Sequence, residues 1–113
     1  MTDQPLTNEN LAQHLQALQH GNEIRFARAA DKRRIKRREL DAALVLRDPG
    51  EHWRRAALMD LLLSIPKVGR VKAQKWCSVE RVRLETRIED LTPRQREMMA
   101  RQIEFHTDAQ FMR

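Results

Sequence analysis

Proline and glycine, the residues that stop helices and open turns, are scarce in this chain, and their positions divide it. Three Gly and four Pro occur in 113 residues, Tyr is absent, and the apolar content comes largely from Leu, Ile, Val, Ala and Met. No segment alternates apolar and polar residues convincingly, so the balance favours helices over sheets. Residues 23–47 contain neither Gly nor Pro. Ile24, Ala27, Ile35, Leu40, Ala43, Leu44 and Leu46 mark a loosely helical apolar stripe there, which predicts one long helix over 24–48, closed by Asp48-Pro49-Gly50. A chain of this length builds one small core. The expected class is therefore all-α, a long N-terminal helix followed by a small helical domain over 49–106.

The remaining punctuation places the other elements. Residues 1–5 read as frayed. Thr7 is a good N-cap, and Leu6 with Leu11 has the spacing of a hydrophobic staple, so residues 1–23 form a partly helical extension with a helix over 8–20. Leu11, Leu15 and Leu18 line one side of it. Gly21-Asn22 either ends that helix or is a weak point within a longer one. Trp53, Ala57, Leu58, Leu61, Leu62 and Ile65 recur at helical spacing, and Pro66 stops that helix at Ser64 or Ile65. After a mixed stretch at 78–89, with Val79, Val82, Leu84 and Ile88 available for burial, Thr92-Pro93-Arg94-Gln95 reads as a capping box with proline at the first helical position. That predicts a final helix over 93–106, with Met98, Met99, Ala100, Ile103 and Phe105 in its buried set. Residues 107–113 read as a loose tail.

The stretch Pro66-Lys67-Val68-Gly69-Arg70-Val71-Lys72 joins two helices and reopens on basic residues. Gly69 can take a positive φ and lets another backbone approach, and a helix over about 70–77 follows it. The first N–H groups of that helix have no internal partner and carry the positive end of its dipole, a ready phosphate site. Lys67, Arg70 and Lys72 add charge, while Val68 and Val71 would pack the turn onto the core. The plain alternative is an ordinary αα-hairpin turn.

Charge distribution favours the phosphate reading. The chain carries 22 Lys and Arg against 16 Asp and Glu, a net charge of +6. Residues 1–23 hold three acidic residues and no Lys or Arg, so the body is more basic than the whole. Arg25, Arg28, Lys32, Arg33, Arg34, Lys36, Arg37 and Arg38 place eight basic residues in fourteen positions, opposed only by Asp31. On a helix they cover much of the circumference, so this part should project from the core and, unless a counter-charge is supplied, repel itself. Pairs such as Asp31 with Arg34 and Arg38 with Asp41 offer partial relief.

Catalysis would need a constellation, and none is present. His14, His20, His52 and His106 are scattered without ligand spacing, and Cys77 has no second thiol, which leaves no zinc pattern and no disulfide. Cys77 reads as a buried helical thiol. No Gly-rich nucleotide loop occurs, so neither cofactor nor metal is expected and the chain does not read as an enzyme. Trp53 and Trp76 lie on apolar helical faces and read as core, which argues against a single-strand stacking platform. No run approaches the ~18 apolar residues of a membrane helix, and no leader pattern is present, so the expectation is a cytoplasmic protein.

The segment Leu61-Leu62-Leu63-Ser64-Ile65-Pro66-Lys67-Val68-Gly69-Arg70-Val71-Lys72-Ala73-Gln74 resembles the actinobacterial, mycobacterial-type integration host factor family, which shares its name but not its fold with the heterodimeric β-arm factor. Leu44 to Asp48 and Arg94-Gln95-Arg96 fall in the family's order and spacing. Ala27-Arg28-Ala29 and Ile35-Lys36 are similar to its basic first helix. The likeness spans about 24–105, and 1–23 is dissimilar.

The resemblance implies a helix-two-turn-helix domain, of the kind also seen in a small-subunit ribosomal protein, behind a long first helix. It implies binding of double-stranded DNA with little sequence preference, bending or organisation of that DNA, and roles in phage integration and nucleoid architecture. Pro66, Lys67 and Gly69 match the family's phosphate-contacting turn, and Arg87 matches one arginine of a second contact cluster. Thr86-Arg87-Ile88-Glu89 departs from the arginine-rich pattern there: Thr86 retains one hydrogen bond for a phosphate, and Glu89 repels it unless paired, with Arg83 or Arg87 as candidates. Arg81, Arg83 or the basic first helix would compensate. A divergent paralogue or a phage-encoded relative fits both the kept turn and the altered cluster.

The leading expectation is an architectural protein that binds duplex DNA as a monomer in the nucleoid, through Pro66, Lys67, Val68, Gly69, Arg70, Lys72, Thr86 and Arg87 together with Arg33, Arg34, Arg37 and Arg38. A recombinase or integrase is the candidate protein partner. An RNA-binding module of ribosomal type uses the same turn and is the alternative. A protein-interaction domain in which the basic helix meets an acidic partner is a third reading.

Overall fold

A computed structural model describes residues 8–111. Six α-helices are present among them: α1 (Asn8–Lys36), α2 (Ala42–Arg47), α3 (Glu51–Arg54), α4 (Leu58–Leu62), α5 (Arg70–Val79) and α6 (Pro93–Phe111), with a 3-10 turn at Ile88–Asp90. No strand forms among the described residues, and Ala57 and Arg87 make one isolated antiparallel bridge. The all-α class and the long N-terminal helix thus match the sequence expectation. The Thr7 cap, the Leu6 staple contact and the frayed residues 1–5 lie outside the described residues.

The break in the front half falls elsewhere than expected. α1 runs straight through Gly21-Asn22 for 29 residues, and the helix expected to continue to residue 48 stops at Lys36. The stop is a Schellman motif without glycine. Arg38 N–H donates to Ile35 O at 3.0 Å and Glu39 N–H to Arg34 O at 2.8 Å, while Arg38 takes the left-handed conformation at φ 63°. Asp41 then caps α2, its Oδ1 accepting from Ala43 N at 2.9 Å. Asp41 makes no ion pair with Arg38, the pairing expected along a continuous helix, whereas Asp31 and Arg34 do approach, at 3.8 Å.

The basic half of α1 is the half that packs, contrary to the expectation that it projects. Ile35 is buried. Asp31 Oδ2 accepts from His52 Nε2 at 2.6 Å and Trp53 Nε1 at 2.9 Å, Arg28 Nε donates to His52 O at 2.9 Å, and Lys32 Nζ sits 3.3 Å from Asp60 Oδ1. Long basic side chains reach around the helix to these partners, so charge density on a wheel does not decide which half is buried. Residues 9–20, by contrast, are exposed throughout.

One core unites the rest. Trp53, Leu46, Leu58, Leu61, Leu62, Leu84, Ile88, Met99 and Ile103 are its largest fully buried side chains. Truncating one such leucine to alanine costs about 2–5 kcal/mol. The helix expected over 53–65 is split into α3 and α4, because Ala56-Ala57 leaves helical geometry to pair with 87–88: Ile88 N–H donates to Ala56 O at 3.0 Å, and Leu58 N–H to Thr86 O at 2.8 Å. The start of α4 is capped by backbone from a distant segment. α6 begins on the expected capping box, with Gln95 N–H to Thr92 Oγ1 at 3.1 Å and Thr92 N–H to Gln95 Oε1 at 3.0 Å, and runs beyond the expected end at 106. Val79 and Phe105 are exposed rather than buried.

Arg47 ties α2 to α6. Its Nε and Nη2 donate to the two Glu97 oxygens at 3.0 Å each, and Nη2 also to Glu104 Oε1 at 2.6 Å. These hydrogen bonds raise the Arg47 pKa further and hold both carboxyls below their ordinary range.

Candidate nucleic-acid interface

The turn between α4 and α5 is built by proline and held from behind by a histidine. Pro66 and Lys67 are the central residues of a β-turn closed by Val68 N–H donating to Ile65 O at 3.1 Å. The positive φ expected of Gly69 belongs instead to Lys67, at 67°, while Gly69 is extended at φ −98°, ψ −177°. Proline at the second position of a turn presets the chain for a left-handed third residue, which is where Lys67 stands. Lys67 carries a side chain where glycine is cheaper, and strain of this kind concentrates at functional sites.

Gly69 caps α5 without any side-chain cap. The N–H groups of Lys67, Gly69, Arg70, Val71 and Lys72 find no acceptor among the described residues. A Cβ built on Gly69 meets nothing within 4 Å, so neither its φ nor its packing demands glycine. Val68 is buried and its N–H is used within the turn, so it anchors the site rather than offering a contact. Val71, expected to help it, is 85% exposed.

His106 on α6 was not found from the sequence. It is buried, its Nε2 bonds Pro66 O at 2.9 Å, and its Nδ1 lies 3.4 Å from Lys72 Nζ. Because Nε2 donates to the carbonyl, Nδ1 is the acceptor for the lysine. The Trp76 ring packs edge-on against it at 5.6 Å. Forty residues separate His106 from Pro66, and no local pattern signals such a contact.

The structure also sorts the cations. Arg28, Lys32 and Arg47 are engaged internally by Asp60, Glu97 and Glu104. Among the sequence candidates, Arg33, Arg37, Arg38, Lys67, Arg70 and Arg87 are exposed and have no acidic partner among the described residues, and Arg34 is only loosely held by Asp31. Lys36, Arg55, Lys75, Arg81, Arg83 and Arg94 join that unpaired set.

Two clefts bring the end of α1 to the turn. Lys32, Arg33 and Lys36 share one of about 240 Å³ with Asp60, Leu63 and Ser64. Arg38 shares another, of about 410 Å³, with Ile65, Pro66 and His106. The basic end of α1 and the turn are therefore one continuous surface.

Thr86 and Arg87 sit at the opposite end of α4. Thr86 O accepts from Leu58 N–H, and Arg87 lies across the bridge from Ala57 and is exposed. Glu89 approaches neither Arg83 nor Arg87 and lies 3.9 Å from Arg54 Nε. No group of three or more potential metal ligands occurs among the described residues, and no helix there is long and apolar enough to cross a membrane.

No family model and no curated protein matches the sequence. A solved structure of sIHF bound to an 8-bp palindromic DNA is similar to this chain at a TM-score of 0.67 and 22% identity, over 75% of this chain and 98% of that one. The likeness establishes the fold as IHF-like. A quarter of the present chain has no counterpart in that structure.

Proposed function

We propose that this protein binds double-stranded DNA through backbone phosphates, with little preference for base sequence. The observation that carries the reading is the turn at 66–72: backbone N–H groups without acceptors, at the positive end of a ten-residue helix, with the unpaired Lys67 and Arg70 on it and Arg38 sharing a cleft with Pro66; Arg33, Arg34 and Arg37 extend the positive charge along the end of α1. Such groups position a protein on a duplex without reading base edges. Pro66, Val68 and His106 set the turn, and Gly69 keeps its mouth open to a phosphate. Arg87, with Thr86, extends the contact past the far end of α4. The pairing of Glu89 with Arg54 reduces its repulsion there. The similarity to an IHF solved with DNA supports the same reading.

Contacts at both ends of α4 favour a curved path for the duplex, so bending, nucleoid organisation and assistance to a recombinase belong to this proposal. Membership of the actinobacterial integration host factor family, as a divergent or phage-encoded relative, would account for the retained turn. All candidate contact residues come from one copy.

Fluorescence anisotropy with unrelated duplexes tests the proposal. Neutralising about five phosphates gives a slope of log K against log salt near −4.5, the same for each sequence. A flat salt response would refute phosphate binding. Tighter binding of structured RNA than of duplex DNA at equal salt would transfer the function to the ribosomal-type alternative.

A further inference from the structure

The N-terminal half of α1 carries an apolar seam that nothing among the described residues covers. Leu11, Leu15 and Leu18 are 42%, 56% and 52% exposed and Phe26 is 73% exposed. At about 100° per residue, Leu11, Leu15, Leu18, Asn22, Phe26 and Ala29 fall within an arc of about 80°. Ile24, Ala27, Asp31 and Ile35, which face the body, fall on the opposite side of the helix. The seam thus points away from the domain from Leu11 to Phe26, and at Ala29, which is half-buried, it begins to meet the body.

We propose that this seam pairs with the seam of a second copy of the chain, antiparallel, about a two-fold axis near Asn22. Charge decides both the occupant and the direction. Residues 8–21 carry Glu9 and no Lys or Arg, whereas residues 25–38 carry eight basic residues and one acidic. Parallel pairing would set the two basic halves side by side, where like charges repel. Antiparallel pairing lays each basic half along the uncharged, slightly acidic half of the other copy.

The spacing is self-complementary in that direction. With Asn22 opposite its own copy, Leu18 meets Phe26, Leu15 meets Ala29, a large residue against a small one, and Leu11 meets the aliphatic stem of Arg33, so each contact occurs twice. The two Asn22 side chains form a polar pair at the centre, a device that fixes register in paired helices. The pairing also covers Leu11, Leu15 and Leu18, which stand exposed on a stretch of helix that is marginal in water by itself. Each dimer would carry two phosphate turns at opposite ends, able to hold two duplex segments; this consequence alone rests on the DNA reading above.

Sedimentation of the full, DNA-free chain over roughly 1 to 200 μM, the range open to a helix pair of modest area, should show a concentration-dependent shift to twice the monomer mass. Leu15→Glu and Leu18→Glu should each abolish the shift while leaving the thermal transition of the domain in place, since both residues are exposed in the single chain. An equimolar mixture of Leu15→Cys and Ala29→Cys proteins should form an oxidised heterodimer. Leu15→Cys alone should not, because the antiparallel register separates those residues by roughly 21 Å. Monomer at every concentration, a dimer indifferent to both glutamates, or efficient self-crosslinking of Leu15→Cys would each overturn the proposal. All these arms omit DNA, so they fail independently of the phosphate reading.

Discussion

Lys67→Gly should make the protein more stable and a poorer DNA binder at once. Lys67 holds φ 67°, a conformation that costs an L side chain about 1–2 kcal/mol and glycine nothing. Glycine gives back part of that gain through its more flexible unfolded chain, about 0.5–1 kcal/mol. The net stabilisation is about 0–1.5 kcal/mol, a rise of up to about 7 °C in melting temperature for a domain near 100 residues. No internal partner is lost, since the ammonium makes no hydrogen bond or ion pair among the described residues. Removing one of about five phosphate contacts should flatten the salt slope from about −4.5 to about −3.6.

Lys67→Ala separates the two effects. It removes the charge but keeps a side chain at the positive φ, so it should flatten the slope equally without raising the melting temperature. Thermal unfolding by circular dichroism and anisotropy at four or more salt concentrations are the assays. A fall in the melting temperature of Lys67→Gly would show that the turn is not strained as argued. An unchanged slope in both variants would show that Lys67 does not meet a phosphate.

Three other outcomes follow from the same structure. Gly69→Leu has open space around its Cβ and should unfold like the parent, yet lose at least tenfold in affinity, more than Lys67→Ala, because its side chain fills the space above the free N–H groups; an unchanged affinity would remove Gly69 from the interface. Glu97 and Glu104 have pKa values lowered chiefly by hydrogen bonds from Arg47, so the stability they contribute is present above the ordinary carboxylate value of 4.5 and is lost as pH falls through their depressed folded values. Arg47→Met should therefore show a shallower acid dependence in urea unfolding below pH 4.5, and an unchanged profile would contradict the assignment. Burial, with a smaller contribution from Glu85, pushes the Cys77 thiol up to about 11; iodoacetamide at neutral pH should label it only in denaturant, and rapid labelling of folded protein would refute its burial.

Which parts of this fold are legible in the sequence depends on whether the deciding interaction is local. The capping box at Thr92 and Gln95 is a short-range feature, and the structure places it where residue type and spacing put it; the stop before Pro66 is also local, but α4 ends at Leu62, two residues ahead of the earliest expected end. The stop after Lys36 was missed because a left-handed arginine stands where a glycine would have announced it, although Asp41 before an apolar run was a readable N-cap signal. The division of 53–65 into α3 and α4 was missed for a different reason. Helical periodicity at Trp53, Ala57, Leu58 and Leu61 is compatible with either outcome, and the choice is made by hydrogen bonds to residues 86–88, about thirty positions away.

The candidate site shows the same partition with a functional twist. Residue type located the cations, but only packing separates Arg28 and Lys32, consumed by Asp60, from Arg33, Arg37 and Arg38, which are not. The internal pairs fix α1 against α4, and that attachment aligns the free arginines with the turn. Charge removed from the interface by pairing therefore sets the geometry of the charge that remains. The buried His106 plays the corresponding part behind the turn: its bond to Pro66 O and its contact with Lys72 join α6 to the loop that Lys67 strains. The contact groups stay unpaired because neighbouring groups of the same chemical kind are paired inward, which explains how a chain this basic holds one fold and still presents a surface that calls for an external anion.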